Sequence, residues 1–171
     1  MRLFIAVQFS RQVHQAILRA QETLLGDGTG QMTPPENLHL TLAFLGLTEN
    51  IPAAVNALEQ IQAHPLLLTV QGIGHFGNLY WAGVQKSPQL CALAESLHQK
   101  LIKNGFSLED RDFIPHLTLC RHYRPGPSFN PKAVEEALGC TSCRIHKILL
   151  LESIPHRGRM IYREVFSREL L

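Results

Sequence analysis

His39-Leu40-Thr41-Leu42 and His116-Leu117-Thr118-Leu119 are the same tetrapeptide, repeated 77 positions apart in a chain of 171 residues. Nine histidines and eight threonines predict roughly 0.4 His-x-Thr pairs by chance, and an identical tetrapeptide far more rarely. In a strand, residues i and i+2 point to the same face. Each copy therefore sets an imidazole beside a hydroxyl and turns its leucines to the opposite face. Two copies facing one another would gather two proton-transfer groups and two hydroxyl donors around one point. That arrangement suits an oxyanion such as a phosphate.

Outward from the motifs, the chain reads as two halves with one element order. Arg2–Val7 predicts a strand and Gln12–Leu25 a helix with its apolar stripe at Val13, Ile17, Ala20 and Leu24. Gly26–Gly30 reads as a glycine-rich stop. The first motif strand, Leu38–Leu45, follows, then a short helix from Ile51 to Gln62 and a strand at Leu66–Gln71. In the second half, Leu79–Val84 predicts a strand. Ser87-Pro88 is a helix start, an N-cap followed by a first-turn proline. Leu90, Ala94, Leu97 and Leu101 form that helix's stripe, and Gly105 closes it. The second motif strand is Ile114–Cys120. Asn130-Pro131 opens a helix that Gly139 ends, Arg144–Leu151 reads as one strand, and Ile161–Arg168 as an additional one. The first helices start 77 positions apart, at Arg11 and Pro88, as the two motifs do. The expectation is a bilobal duplicated α+β fold, a single domain over 1–171. Two antiparallel sheets should face a central cleft, with helices outside. Gly26–Asn37 and Arg121–Asn130 are expected to be the most mobile loops.

The 45% hydrophobic and 18% charged composition is that of a globular protein, and the net charge of +2 permits an anionic ligand without demanding nucleic acid. No apolar run reaches the ~20 residues of a membrane span. Met1–Val7 is too short for a signal peptide and runs into polar sequence at Gln8. A cytoplasmic monomer with no membrane partner is expected. Cys140 and Cys143 form a lone Cys-x-x-Cys without further ligands at comparable spacing, so no metal and no cofactor is expected; they read, with Cys91 and Cys120, as reduced packed thiols.

Histidine titrates near neutral pH, so one imidazole of a pair can accept a proton while the other gives one. Across a phosphodiester, that pair serves a single in-line displacement. The Thr41 and Thr118 hydroxyls can donate to phosphate oxygens, and Arg121 is the nearest cation to the second motif. In an ideal strand Arg121 points away from His116 and Thr118, so it reaches the site only if the strand ends or twists. The matching position after the first motif is Phe44.

The chain resembles the 2H phosphoesterase superfamily, and within it the bacterial and archaeal RNA 2',3'-cyclic phosphodiesterases, also called 2'-5' RNA ligases. The likeness is carried by Arg2–Val7, Asn37–Gly46, Tyr80–Val84, Phe113–Arg121, Glu152-Ser153 and Gly158–Tyr162. It implies metal-independent hydrolysis of RNA 2',3'-cyclic phosphate ends, such as those of tRNA fragments, to 2'-phosphomonoesters, with reversible 2'-5' ligation. By the same likeness His39 is the proton donor, His116 the proton acceptor, and Thr41, Thr118 and Arg121 bind phosphate. The residues alone leave open which histidine is the acid. Two alternatives stand beside this reading: a 2H phosphoesterase for another cyclic or 2'-5' phosphodiester nucleotide, and a non-catalytic module that binds RNA ends. Phe9, Phe44, Phe76, Trp81 and Tyr162 are weighed for base stacking and assigned to packing instead. Of the remaining histidines, His75 and His122 are the two to watch, as both are expected in loops near the motif strands.

Overall fold

In the computed structural model, which describes residues 1–171, the chain order is β1 (Arg2–Val7), α1 (Arg11–Asp27), β2 (Gly28–Met32), a 3-10 turn at Pro35–Asn37, β3 (Leu40–Leu47), α2 (Ile51–Glu59), β4 (Leu66–Phe76) and β5 (Leu79–Val84). There follow α3 (Pro88–Lys103), β6 (His116–Pro125), α4 (Pro131–Leu138), β7 (Thr141–Ile145), β8 (Lys147–His156) and β9 (Arg159–Glu169). The helix signals in the sequence act as expected. Ser87 Oγ accepts from Leu90 N–H at 3.2 Å, and Asn50 and Asn130 cap α2 and α4 in the same manner. The stripe of α1 is buried as predicted. On α3, Leu93 rather than Ala94 completes the buried face.

Two antiparallel sheets result, ordered β3-β1-β8-β9 and β2-β6-β5-β4-β7. Each motif strand pairs with the strand that opens its own half, β3 with β1 and β6 with β5. The next strand in each sheet comes from the other half: β8 beside β1, and β4 beside β5. The short Gly77-Asn78 connection explains the second case, because a two-residue hairpin holds β4 against β5, and Gly77 takes the positive φ that such a turn needs. Helices α1 and α4 cover the five-stranded sheet, and α2 and α3 the four-stranded one. A single core of 38 buried residues draws on both sheets, so the lobes share one interior. Each fully buried Leu or Ile in it contributes about 1.5–3 kcal/mol. No helix is long and apolar enough to cross a membrane.

Two sequence expectations are corrected. Arg144–Leu151 is not one strand: the chain leaves the five-stranded sheet after Ile145 and enters the four-stranded sheet at Lys147. The break at His146 carries no glycine or proline, and the apolar run masks a strand that switches sheets. Nor is Gly26–Gly30 only a stop. Gly28–Met32 forms β2, which pairs with a β6 that runs on through Arg121–Pro125, a stretch expected to be loop. Glycine is used here for close approach. A Cβ at Gly28 would lie 2.5 Å from the Arg124 carbonyl oxygen and 2.6 Å from the Tyr123 hydroxyl, and one at Gly30 would lie 2.5 Å from Cys120 Sγ. Gly28→Ala is therefore expected to destabilise the fold by about 1–3 kcal/mol, as overpacking typically does. Urea unfolding measures it, and an unchanged midpoint would contradict so tight a contact.

Candidate active site

The same irregularity sits in both motif strands. Opposite β1, Ile5 pairs with Ala43 and Ala6 with Thr41, leaving Leu42 as the extra residue. Opposite β5, Tyr80 pairs with Cys120 and Trp81 with Thr118, leaving Leu119 as the extra residue. Each bulge falls on the final leucine of the tetrapeptide. A bulge reverses the alternation of faces beyond it and re-aims the side chains that follow. Leu119 and Cys120 both turn to the core, and Arg121 returns to the side of His116 and Thr118. A second irregularity follows at His122, whose φ is 54°, and it sends Tyr123 back into the core. This resolves how Arg121 reaches the cleft from a continuing strand. The equivalent reversal after Leu42 brings Phe44 to the cleft side, exposed and 6.2 Å from the Phe4 ring.

The two histidines are held alike. His39 Nδ1 lies 2.7 Å from the Asn37 carbonyl oxygen, and His116 Nδ1 lies 2.7 Å from the Ile114 carbonyl oxygen. A carbonyl only accepts, so each Nδ1 carries the hydrogen and donates it. When neutral, each ring is then left with a free lone pair on Nε2. The approach to each histidine is fixed in turn. The Asn37 side chain donates to the Met160 carbonyl in the β8–β9 hairpin at 2.9 Å, and Val84 N–H donates to the Pro115 carbonyl at 3.0 Å.

Each imidazole also meets two aromatic rings. His39 stands edge-on to Tyr162 at 5.1 Å and tilted to Phe4 at 5.0 Å. His116 stands edge-on to Phe76 at 5.3 Å and tilted to Trp81 at 5.8 Å. Phe4 and Tyr162 belong to a small apolar cluster with Ala6, Leu149 and Leu151 on the cleft face of the four-stranded sheet. On the other wall Trp81 covers Gly74 so closely that a Cβ there would lie 2.2 Å from its ring. The sequence assigned Phe44, Phe76, Trp81 and Tyr162 to packing and gave Phe4 no role at the site. In strands buried on both faces, alternation does not distinguish a cleft wall from a core. Phe9 is buried in the core as expected. His75 stacks on Tyr80 at 5.1 Å, away from the histidine pair, and His122 is exposed.

Burial holds the His39 pKa below its ordinary value, the bond to Asn37 opposes that shift, and the charges of Arg121 and His116 add to it. Burial also raises the Tyr162 pKa, with Arg121 opposing. Arg121 thus acts electrostatically on both residues of the opposite wall. Strands β3 and β6 approach each other where the sheets meet. Thr41 and Thr118 are half-buried, each two residues beyond its histidine; His116 opens β6, and His39 lies just before β3. No group of three or more His, Cys, Asp or Glu side chains is arranged to hold a metal ion. All four cysteines are free thiols, with Cys120 and Cys143 buried. Burial pushes the Cys120 thiol up to about 11.

Comparison with known proteins places this arrangement among relatives. A family described as the 2'-5' RNA ligase superfamily matches residues 10–153. An RNA 2',3'-cyclic phosphodiesterase of Archaeoglobus fulgidus is 34% identical over 134 residues, covering 74% of this chain and 76% of its own. The protein of the same name from Escherichia coli is 30% identical over 139 residues, covering 75% and 79%. The crystal structure of E. coli LigT complexed with 3'-AMP superposes with a TM-score of 0.82 at 25% identity, covering 99% of this chain and 97% of that one.

Proposed function

The chain belongs to the 2'-5' RNA ligase superfamily, and from that premise we propose that it hydrolyses RNA 2',3'-cyclic phosphate ends to 2'-phosphomonoesters by a two-histidine acid–base mechanism. The whole of 1–171 acts as one unit, each lobe bringing one histidine. The observation that carries the reading is the matched pair of Nδ1–H bonds to backbone carbonyls, which reserves both Nε2 atoms for chemistry, with Arg121 within electrostatic reach of His39. The names of the relatives from A. fulgidus and E. coli and the E. coli LigT complexes with 3'-AMP and with phosphate support the substrate class.

In the proposed reaction the cyclic phosphate lies between the histidines. Arg121 and the Thr41 and Thr118 hydroxyls bind its non-bridging oxygens, where negative charge grows in the transition state. Water attacks phosphorus and gives its proton to His116 Nε2. The bond from phosphorus to the 3'-oxygen breaks, and that oxygen takes the proton from His39 Nε2. The product is a 2'-phosphomonoester with a free 3'-hydroxyl, and the two histidines exchange protons with solvent to return to the starting state. A 5'-hydroxyl in place of water gives a 2'-5' linkage by the same steps. Water is abundant and needs no second RNA end, so hydrolysis dominates.

The test is product analysis on an RNA ending in a 2',3'-cyclic phosphate. A 2'-phosphate is the expected product, unchanged by chelator. A 3'-phosphate, or binding without turnover, would overturn the proposal.

A further inference from the structure

We propose that Gln21 is a positioning residue for Arg121: its buried amide holds the Leu119 bulge of β6, and through it the direction of the cleft cation. The inference rests on the reading above, in which Arg121 serves the phosphate. Gln21 lies on α1, on the far side of the five-stranded sheet from the cleft, and is the one buried polar side chain of the protein, 5% exposed. A lone amide among Ile17, Ala20 and Leu24 costs stability unless its hydrogen bonds are made. They are made to two particular carbonyls. Nε2 donates to the Leu119 carbonyl at 3.0 Å and to the Thr33 carbonyl at 2.9 Å.

Leu119 is the extra residue whose insertion returns Arg121 to the side of His116 and Thr118. Its carbonyl also accepts from Thr33 N–H at 2.9 Å. Thr33 itself opens the segment through Pro35–Asn37 to His39. One amide therefore ties the bulge behind Arg121 to the approach of the first histidine. Two further contacts hold the bulge from the same side. Gly30 admits Cys120 Sγ, and the Tyr123 hydroxyl donates to the Leu24 carbonyl at 2.8 Å. The other bulge, at Leu42, has no buried amide behind it and delivers Phe44. The clamp belongs to the strand whose bulge delivers a charge. A core amide kept only for packing has no reason to seek the carbonyl of the bulged residue that re-aims Arg121.

The test reads the position of Arg121 directly, through the titration of His39 followed by NMR. His116 and Tyr162 face His39 as well and are left unchanged in every variant. Arg121→Ala removes a positive charge that disfavours protonated His39, so the His39 pKa rises. Gln21→Met keeps the length and apolar fit of the side chain and removes the amide. It is expected to raise the His39 pKa in the same direction, and to do so no further in the Arg121→Ala background. In turnover of a nucleoside 2',3'-cyclic phosphate, Gln21→Met should lower kcat/KM about tenfold alone and less than twofold when Arg121 is already alanine. If Gln21→Met does not fold, Gln21→Asn, which withdraws the amide by one methylene, is read by the same titration. A folded Gln21 variant with an unmoved His39 titration, or effects that multiply fully with Arg121→Ala, would overturn the proposal. An inactive wild type would overturn the functional reading alone, because the titration needs no turnover.

Discussion

Alanine in place of either His39 or His116 is expected to lower kcat for a nucleoside 2',3'-cyclic phosphate by about 10²–10⁴-fold, with KM nearly unchanged. Each imidazole is held by a single Nδ1–H bond and presents Nε2, so truncation removes a proton-transfer group without touching Arg121, Thr41 or Thr118. The two losses should not multiply in the double variant. Once one proton transfer is gone, the concerted step served by the other is gone as well. Steady-state release of 2'-phosphomonoester measures this. Thermal unfolding is the control, and its sign is set by His39. The folded pKa of His39 is depressed, chiefly by burial, so the unfolded chain binds that proton more tightly. Stability is intact above the ordinary histidine pKa of about 6.5 and erodes as the pH falls below it. His39→Ala removes that erosion, so the stability difference between variant and wild type should shift in the variant's favour as the pH falls below that value. Near-full activity in either variant would remove the histidine pair from the mechanism.

The sequence made some parts of this molecule legible and hid others, for identifiable reasons. The twin tetrapeptide located both histidines, because an identical unit in equivalent strands is a local pattern. The stripe of α1 and the Ser87-Pro88 cap were readable on the same ground. What escaped depends on cross-strand partners. Nothing in His116–Arg121 says that Leu119 has no partner on β5, so Arg121 seemed to face away. Nothing in Arg144–Leu151 marks the change of sheet at His146. Gly28 and Gly30 read as breakers because their use, close approach to Arg124 and Cys120, exists only once β2 lies on β6. Gln21 lies outside the apolar stripe that the sequence marks on α1, and the carbonyls that retain it are 12 and 98 residues away. The aromatic walls were misassigned for a different reason. Phe44, Phe76, Trp81 and Tyr162 occupy strands with apolar residues on both faces, where a cleft and a core share one pattern.

Replacing the 3'-bridging oxygen of the cyclic substrate with sulfur is expected to separate the two histidines. An alkoxide leaving group needs a proton as the bond to phosphorus breaks. A thiolate does not, since thiols ionise with a pKa of about 8.5. If His39 is the donor, His39→Ala should cleave the sulfur substrate within a few-fold of wild type while remaining about 10²–10⁴-fold impaired on the oxygen substrate. His116→Ala should be impaired on both, because activation of water is unaffected by the leaving atom. The depressed His39 pKa bears on this directly. It leaves less of the free protein with His39 protonated, yet makes the protonated form the stronger acid. The negative charge of a bound cyclic phosphate favours the protonated form and offsets the first effect while the substrate is in place. Arg121 works against protonation of His39 in the empty cleft; in the proposed mechanism the same phosphate would partly neutralise it, so that substrate binding would charge the acid. Rescue of His116→Ala instead of His39→Ala would reverse the assignment. Rescue of neither would mean that leaving-group protonation does not limit the reaction, and that the asymmetry between Arg121 and Phe44 governs binding rather than the direction of proton transfer.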